Sequence, residues 1–378
     1  MLTTTQDFLT SMPTEYLEPE LLPDILAGMD RTNLAFGFLY FPDQKRFRFA
    51  ACEKDDLQVI LSPGDLIHFR DMSGFCVFPF HAETQPGYFM PHMVSLEQVS
   101  GFVKGNPESG QNDGPTKLRE TLKEQYCSAV ESAVSQIKRG TFQKLVVSRS
   151  SDFLFEESKI GAFVTSVISN YPEANISIFN IPGQGLWVSA SPEVLLAYNQ
   201  FDGIRSMALA GTRVYEPDFE EVSLWSFKEL DEQSIVSDYI REAFHERGIS
   251  KVKEKGPYPI QAGNLIHLRT DFFACGADSG EFYPILDLLH PTSAVCGSPK
   301  LESLAWLFEN EDFNRAYFSG FSGILEPECK KVVVNLRAAR MKDGIITLFA
   351  GAGITKASIA EKEWIETGEK LKTLGRFL

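Results

Sequence analysis

Four glutamates in two short stretches are candidates for metal binding. Glu229 and Glu232 lie three residues apart in a predicted helix, and the same spacing recurs at Glu363 and Glu366. Residues three apart project from one side of a helix, so each pair presents two carboxylates to one point. Carboxylate oxygens suit a hard cation such as Mg²⁺. Acidic pairs at this spacing more commonly form solvated helix faces, and that alternative stays open.

Lys144 and Glu193 are candidates for a general base and a general acid. Lys144 begins the apolar run KLVVS. A buried lysine can lose its proton and act as a base, although a charge at a strand end more often reaches solvent. Glu193 follows a proline between two apolar runs. If it is buried, its pKa rises and it can donate a proton; otherwise it is a loop or capping carboxylate.

Other polar and glycine positions could contact a ligand. Arg337 lies within the apolar stretch VVVNLRAAR, where its planar guanidinium suits either a ligand carboxylate or an internal ion pair. Gly351 and Gly353 in AGAGI allow a ligand to approach the backbone, and a tight turn after a strand explains them equally well. His290 precedes a proline, which is typical of a structural histidine.

The apolar pattern mixes strands and helices without a regular βαβ rhythm, which favours an α+β fold. Residues 1–103 form a β-rich part that includes a predicted hairpin over 34–50, residues 104–117 predict an exposed loop, and residues 118–378 carry the catalytic candidates. Strands are predicted at 144–148, 176–181, 185–190, 194–198, 331–335 and 345–350, and helices at 118–139, 227–247, 301–309 and 360–374.

Composition excludes several classes of protein. The 378 residues carry a net charge of −15, which argues against a nucleic-acid binder, since such a protein needs a basic face. The six cysteines form no CxxC pair, so we expect reduced thiols and a cytoplasmic location. The N-terminus lacks a signal pattern, and the apolar run 345–354 is too short to span a bilayer.

Taken in order, eight motifs resemble the chorismate-utilising enzymes, which comprise isochorismate, salicylate, anthranilate and aminodeoxychorismate synthases. The matching segments are KLVVSR, SPE, ALAGTR, KELDE, LHPTSAVCGSP, FSGFSG, NLRAAR, and FAGAGI followed by EKEWIETGEK. Their order and spacing make the resemblance specific, and it covers about the C-terminal two-thirds of the chain. It implies a single large domain with two mostly antiparallel β-sheets flanked by helices and an active site that holds Mg²⁺.

The resemblance also implies roles for individual residues. The implied metal site comprises Glu229, Glu232, Glu363 and Glu366, directly or through water. Arg337 and Tyr317 would hold the enolpyruvyl carboxylate of chorismate. The other residues implied in the substrate pocket are Ala210, Gly211, Thr212, His290, Gly351 and Lys370.

Two positions indicate the branch of the family. Water-adding members resemble this chain in having lysine at Lys144, whereas the ammonia-using members have glutamine there. Ala210 stands where the aminodeoxychorismate branch has an attacking lysine. Both positions favour water as the nucleophile, so we expect isomerisation of chorismate to isochorismate by a monomer without a glutaminase subunit. Salicylate formation by additional pyruvate elimination, or a catalytically silent relative, are the alternatives.

Two residues depart from the family pattern. Gln233 stands where many relatives have histidine, which leaves the orientation of Glu232 open. Ser189 stands where glycine is common before the turn that carries Glu193. Neither change removes a residue of the implied site.

Overall fold

The computed structural model describes residues 12–29, 31–100, 115–216, 221–263 and 265–378. The strands are β1 (Glu15–Leu17), β2 (Leu34–Phe41), β3 (Arg46–Glu53), β4 (Gln58–Ile60), β5 (Gly74–Phe78), β6 (Gly87–Pro91), β7 (Lys117–Glu120), β8 (Lys144–Leu154), β9 (Asn175–Ile181), β10 (Gly185–Ser191), β11 (Val194–Asn199), β12 (Gly203–Val214), β13 (Lys253–Ala262), β14 (Leu265–Ala274), β15 (Gly297–Ser298), β16 (Phe321–Leu325), β17 (Cys329–Val334), β18 (Ala338–Lys342) and β19 (Ile345–Ile354). The helices are α1 (Leu22–Gly28), α2 (Leu96–Ser100), α3 (Lys123–Lys138), α4 (Ile160–Asn170), α5 (Phe227–Glu246), α6 (Phe282–Leu289), α7 (Lys300–Asn310) and α8 (Ala360–Gly375).

The strands form two antiparallel sheets. The first has the order β1-β3-β2-β9-β10-β18-β19-β8-β15, with β7 also beside β8, and the second has the order β13-β14-β12-β11-β17-β16-β5-β6-β4. The first 100 residues contribute strands to both sheets, so the N-terminal part belongs to the same fold as the rest. The predicted α+β class with two mostly antiparallel sheets is confirmed.

Aromatic side chains fill the space between the two sheets. Phe179, Trp187 and Phe349 of the first sheet stack in a row, and Phe75 of the second sheet packs against Phe179. Helices α1 and α4 pack on the outer face of the first sheet, whereas α5 and α6 cover the outer face of the second. Burial of each large apolar side chain contributes about 1.5–3 kcal/mol, so this core holds the sheets in a fixed relation.

Local pairing explains where the predicted elements differ from the structure. The helix predicted over 118–139 begins only at Lys123, because Lys117–Glu120 pairs with β8 as a strand. Most of the predicted loop over 104–117 lies outside the described residues. The long hairpin of β13 and β14 was not predicted, since the charges and prolines of β13 hide its alternation.

Two contacts position the chemistry-bearing residues. Strand β8, which begins at Lys144, pairs along its length with β19, where Val146 lies opposite Gly353. Helix α5 lies against β12, and its buried positions recur at helical spacing from Glu232 to Phe244. Within the described ranges, no helix is long and apolar enough to cross a membrane.

Candidate active site

A cleft-shaped cavity opens beside the ends of β8, β12, β17 and β19, with about 620 Å³ of space not filled by atoms, the solvent at its mouth included. The predicted site residues that line it are Glu193, Ala210, Thr212, Glu232, Arg337, Gly351 and Lys370. Side chains that are far apart in sequence therefore meet at one wall.

Lys144 lies directly behind this wall. Its side chain is fully buried, and its Nζ is 3.1 Å from Oε1 of Glu232. Glu232 lines the cavity, whereas Lys144 itself does not. The predicted base is therefore next to the cavity, in contact with one of the predicted metal ligands.

Gly353 makes the contact between Lys144 and Glu232 possible. A Cβ at Gly353 would overlap the Glu232 carboxylate and lie 3.0 Å from Cε of Lys144. Gly353 lies within strand β19 and not in a turn. Close packing against Glu232 and Lys144 therefore explains why this position of AGAGI is a glycine.

We expect Gly353→Ala to separate the two side chains and to lower kcat by at least about tenfold, with a fall in Tm, because overpacking typically costs about 1–3 kcal/mol. Gly64→Ala is the matched control, since its Cβ would meet its nearest neighbour at an ordinary 3.5 Å. Steady-state kinetics and thermal unfolding of both variants check this. Wild-type kcat in Gly353→Ala would show that the contact is not needed.

Glu193 is a buried carboxyl in the turn between β10 and β11. Two hydrogen bonds of the Glu193 backbone fix this turn. The N–H of Glu193 donates to Oγ of Ser191 at 3.2 Å, and the carbonyl of Glu193 accepts from the N–H of Val334 at 3.2 Å. Burial raises the pKa of Glu193 to about 8, although Lys144 and Arg337 oppose the rise. The side chain is thus largely protonated at neutral pH and can donate a proton.

Arg337, His267 and Thr212 form a hydrogen-bonded chain along the cavity. Nη2 of Arg337 donates to Nε2 of His267 at 3.2 Å, and Nδ1 of His267 is 3.0 Å from Oγ1 of Thr212. Burial, followed by the charges of Arg337 and Lys370, lowers the pKa of His267 well below its ordinary value. Because a guanidinium only donates, the neutral imidazole must carry its proton on Nδ1 and donate it to Thr212.

His267 was missed in the sequence. A lone histidine in the apolar run LIHLR gave no functional signal, and only the β12–β14 register, which places Thr212 opposite His267, brings it to the site. Arg337 has a positive φ of 48° between β17 and β18, and burial lowers its pKa only to about 10. It therefore stays charged and can bind a carboxylate.

Three of the four predicted metal ligands line a second opening. They are Glu229 at the start of α5 and both Glu363 and Glu366 of α8. Burial and the neighbouring Glu366 carboxylate raise the pKa of Glu363 above its ordinary value. The fourth, Glu232, lines the first cavity instead.

Each of the four carboxylates has a cationic partner. Glu229 accepts from Arg213 at 3.0 and 3.2 Å and also takes part in the capping box of α5 with Ser226. The remaining ion pairs are Glu232–Lys144 at 3.1 Å, Glu363–Lys228 at 2.7 Å and Glu366–Lys370 at 2.7 Å. In the described part of the chain, no three His, Cys, Asp or Glu side chains converge closely enough to hold a metal ion. The donor chemistry suits a hard cation, but the carboxylates are arranged around ammonium and guanidinium groups.

Gln233 fixes the orientation of Glu232, which the sequence left open. Its Oε1 accepts from Ala210 N–H at 2.9 Å, and its Nε2 donates to the Ala208 carbonyl at 3.3 Å and to Thr270 at 3.1 Å. Gly211 allows the same approach of α5, because a Cβ there would lie 3.0 Å from Glu229. The amide thus clamps α5 to β12 and directs Glu232 to the cavity.

Three predicted pocket residues do not line the cavity, namely Gly211, which lies against Glu229 of α5, and both His290 and Tyr317. The buried His290 contacts the Pro79 carbonyl through Nε2 at 2.8 Å, and burial lowers its pKa to about 3. Tyr317 lies in the core between the sheets, where its hydroxyl donates to the Pro86 carbonyl at 3.2 Å. The next residue, Phe318, lines the cavity instead. Arg337 and Tyr317 were both expected to hold a carboxylate of the substrate. Of these two residues, Arg337 lines the cavity and Tyr317 does not.

Comparisons with known proteins identify the family and the fold. Residues 77–378 match the family model described as chorismate binding enzyme. Isochorismate synthase EntC of Escherichia coli (strain K12) is 32% identical over 243 residues, which cover 61% of this chain and 61% of EntC. The vibriobactin-specific isochorismate synthase of Vibrio cholerae is 27% identical over 312 residues, which cover 79% of this chain and 78% of that protein. The match to EntC thus spans less than two thirds of its length.

The fold is shared with a solved structure. MenF, the menaquinone-specific isochorismate synthase from Escherichia coli, superimposes with a TM-score of 0.78 over 99% of this chain and 96% of MenF, at 19% identity. At that identity the likeness concerns the fold. The family model, in contrast, matches well over half of the chain, and the chain therefore belongs to the chorismate-binding enzyme family.

Proposed function

We propose that this chain is a Mg²⁺-dependent isochorismate synthase, which converts chorismate to isochorismate. The observation that carries the proposal is a buried lysine directly behind the wall of a cavity that a buried, protonated carboxyl lines. Lys144 contacts the cavity wall at Glu232, and Glu193 lies close enough for Lys144 to influence its pKa. Family membership and the names of two relatives support the choice of substrate.

The proposed reaction adds one water and releases another. As the proposed base, the amine of Lys144 takes a proton from a water, whose oxygen forms a bond to C2 of the ring. Both conjugated ring double bonds shift, from C1=C2 to C6=C1 and from C5=C6 to C4=C5, as the C4–O bond breaks, and Glu193 gives its proton to the departing hydroxyl, which leaves as water. Atoms balance because the product is an isomer of the substrate.

The cationic side of the cavity would bind the two carboxylates of the substrate. Arg337 and Lys370 both line it. Because the chain has a net charge of −15, an anionic ligand needs a local region of positive potential such as these two side chains provide. His267 accepts from Arg337 and thereby orients the guanidinium, while Lys370 donates to the Gly351 carbonyl at 2.9 Å.

All four glutamates would hold Mg²⁺, directly or through water. Glu229 is fixed by Arg213 and the helix cap, whereas Glu232, Glu363 and Glu366 each pair with a lysine. When bound, Mg²⁺ would supply positive charge to the ring carboxylate and make C2 more electrophilic.

Other parts of the proposal follow from the same residues. Lys144 and Ala210 together favour water as the nucleophile, so we expect no glutaminase subunit. All six cysteines are unpaired thiols, which fits a cytoplasmic enzyme, and we expect a monomer.

Product analysis tests the proposal. Purified protein with chorismate and Mg²⁺ is expected to yield isochorismate in chromatography, and omission of Mg²⁺ should stop conversion. Salicylate, detected by its fluorescence, would assign the chain to the branch that also eliminates pyruvate. Absence of conversion would support a binding or regulatory relative and overturn the proposal.

The pH dependence follows from the acid. Glu193 must be protonated to donate, and burial raises its pKa to about 8. We expect kcat/KM to fall as pH rises through about 8, because that ratio reports ionisations of the free enzyme. A profile measured between about pH 6 and 10 that stays flat above 8 would contradict this role.

A further inference from the structure

Lys228 lies among the predicted metal ligands without a role in the proposed reaction. It is the second residue of α5, its side chain is mostly buried, and its Nζ donates to Oε1 of Glu363 at 2.7 Å. It lines the opening between α5 and α8 together with Glu229, Glu363 and Glu366.

Three carboxylates act on this one ammonium. Burial alone would lower the pKa of Lys228, yet Glu363, followed by Glu232 and Glu366, raises it above its ordinary value. The ammonium therefore occupies the region of negative potential that those carboxylates create, which is where a metal cation would be attracted.

The glutamates already have partners without a metal. Arg213, Lys228 and Lys370 pair with Glu229, Glu363 and Glu366, while Lys144, the proposed base, contacts Glu232. A divalent ion gains less from a carboxylate that a cation already neutralises, so a cation that leaves its pair favours metal binding.

Lys228 is the cation that can leave at least cost. Arg213 is held by two bonds to Glu229 and one to the Leu224 carbonyl. Lys144 is fully buried, and Lys370 also donates to a backbone carbonyl. Lys228 has one hydrogen bond and a side chain that is 22% exposed, so it can swing into solvent on its flexible stem.

We propose that Lys228 is a resident counter-ion that competes with Mg²⁺ for the glutamate site and so sets its metal affinity. This rests on the proposed function only for the identity of the metal. The competition keeps Mg²⁺ binding weak in the free enzyme, and the two carboxylates of the substrate shift the balance toward the metal.

Mg²⁺ titration of the metal-stripped protein by calorimetry, without chorismate, tests this. We expect Lys228→Met to lower the Kd at least about fivefold, since a like charge is removed. Lys228→Arg should keep a Kd near that of the wild type. The control Lys372→Met removes the same charge from an exposed pair with Glu369 on α8, and it should leave the Kd unchanged.

The outcomes separate this inference from the proposed function. An equal or higher Kd in Lys228→Met, or no Mg²⁺ binding by either protein, would overturn it, even if the wild type still converts chorismate. Tighter binding would uphold it even if no isochorismate forms. Should Lys228→Met unfold, Lys228→Gln keeps a polar partner for Glu363 without the charge and must show the same lower Kd.

Discussion

Lys144→Met is expected to lower kcat by about 10²–10⁴-fold, which is the typical contribution of one general base. Methionine fills the same buried space but cannot accept a proton from water. KM for chorismate should change little, because the amine lies behind the wall of the cavity, next to Glu232. Steady-state kinetics with isochorismate detection provide the measurement.

The control for this variant is Lys330→Met. Lys330 is equally buried on β17, but its Nζ contacts Ser279 and the Pro327 carbonyl, away from the site. Loss of that buried ammonium should reduce stability without a comparable loss of kcat. If Lys144→Met keeps most of its turnover, Lys144 is not the base.

Glu193→Gln is expected to lower kcat by a similar factor of about 10²–10⁴. Glutamine has nearly the same shape but cannot protonate the departing hydroxyl. Chorismate should still bind, since Arg337 and Lys370 remain to hold its carboxylates. A product assay combined with a direct binding titration separates the two effects, and near-normal turnover would exclude Glu193 as the acid.

The same variant has a stability signature. The folded-state pKa of Glu193 is raised to about 8 by burial, so wild-type stability falls as pH rises from the ordinary carboxyl value toward 8. Glu193→Gln lacks this loss, and its Tm should exceed that of the wild type at pH 8 and converge with it near pH 4. An equal Tm at both pH values would mean that Glu193 is not held protonated.

Local patterns in the sequence could predict part of the site. The spacing of Glu229 with Glu232 and of Glu363 with Glu366 depends only on helix geometry, and both helices begin within a residue of their predicted starts. The position of Lys144 at the start of an apolar strand can likewise be predicted from the residues next to it in the chain. The resemblance to the family supplied the link between these segments, which spacing alone does not give.

Other parts depended on contacts that the sequence does not encode locally. His267 reaches the site through strand register with Thr212, and β13 and β14 were not predicted. The positive φ values of Ala316 and Ser319 break the alternation around Tyr317. Phe318, rather than Tyr317, lines the cavity, and no periodicity rule covers such a segment.

The cationic partners of the four glutamates were also beyond sequence reasoning. Lys228 is next to Glu229 in the chain, yet it pairs with Glu363 of another helix. Only the packing of α5 and α8 brings that pair together. The carboxylates were expected to face a metal, whereas each lies beside a basic side chain of the protein.

The central claim is that water from solvent attacks C2 while the C4 hydroxyl leaves. Reaction of chorismate and Mg²⁺ in ¹⁸O-enriched water, followed by mass spectrometry of the product, tests it most directly. We predict isochorismate that carries one ¹⁸O atom at C2. Isochorismate without the label would show that the original hydroxyl is transferred within the molecule, and it would contradict the roles given to Lys144 and Glu193.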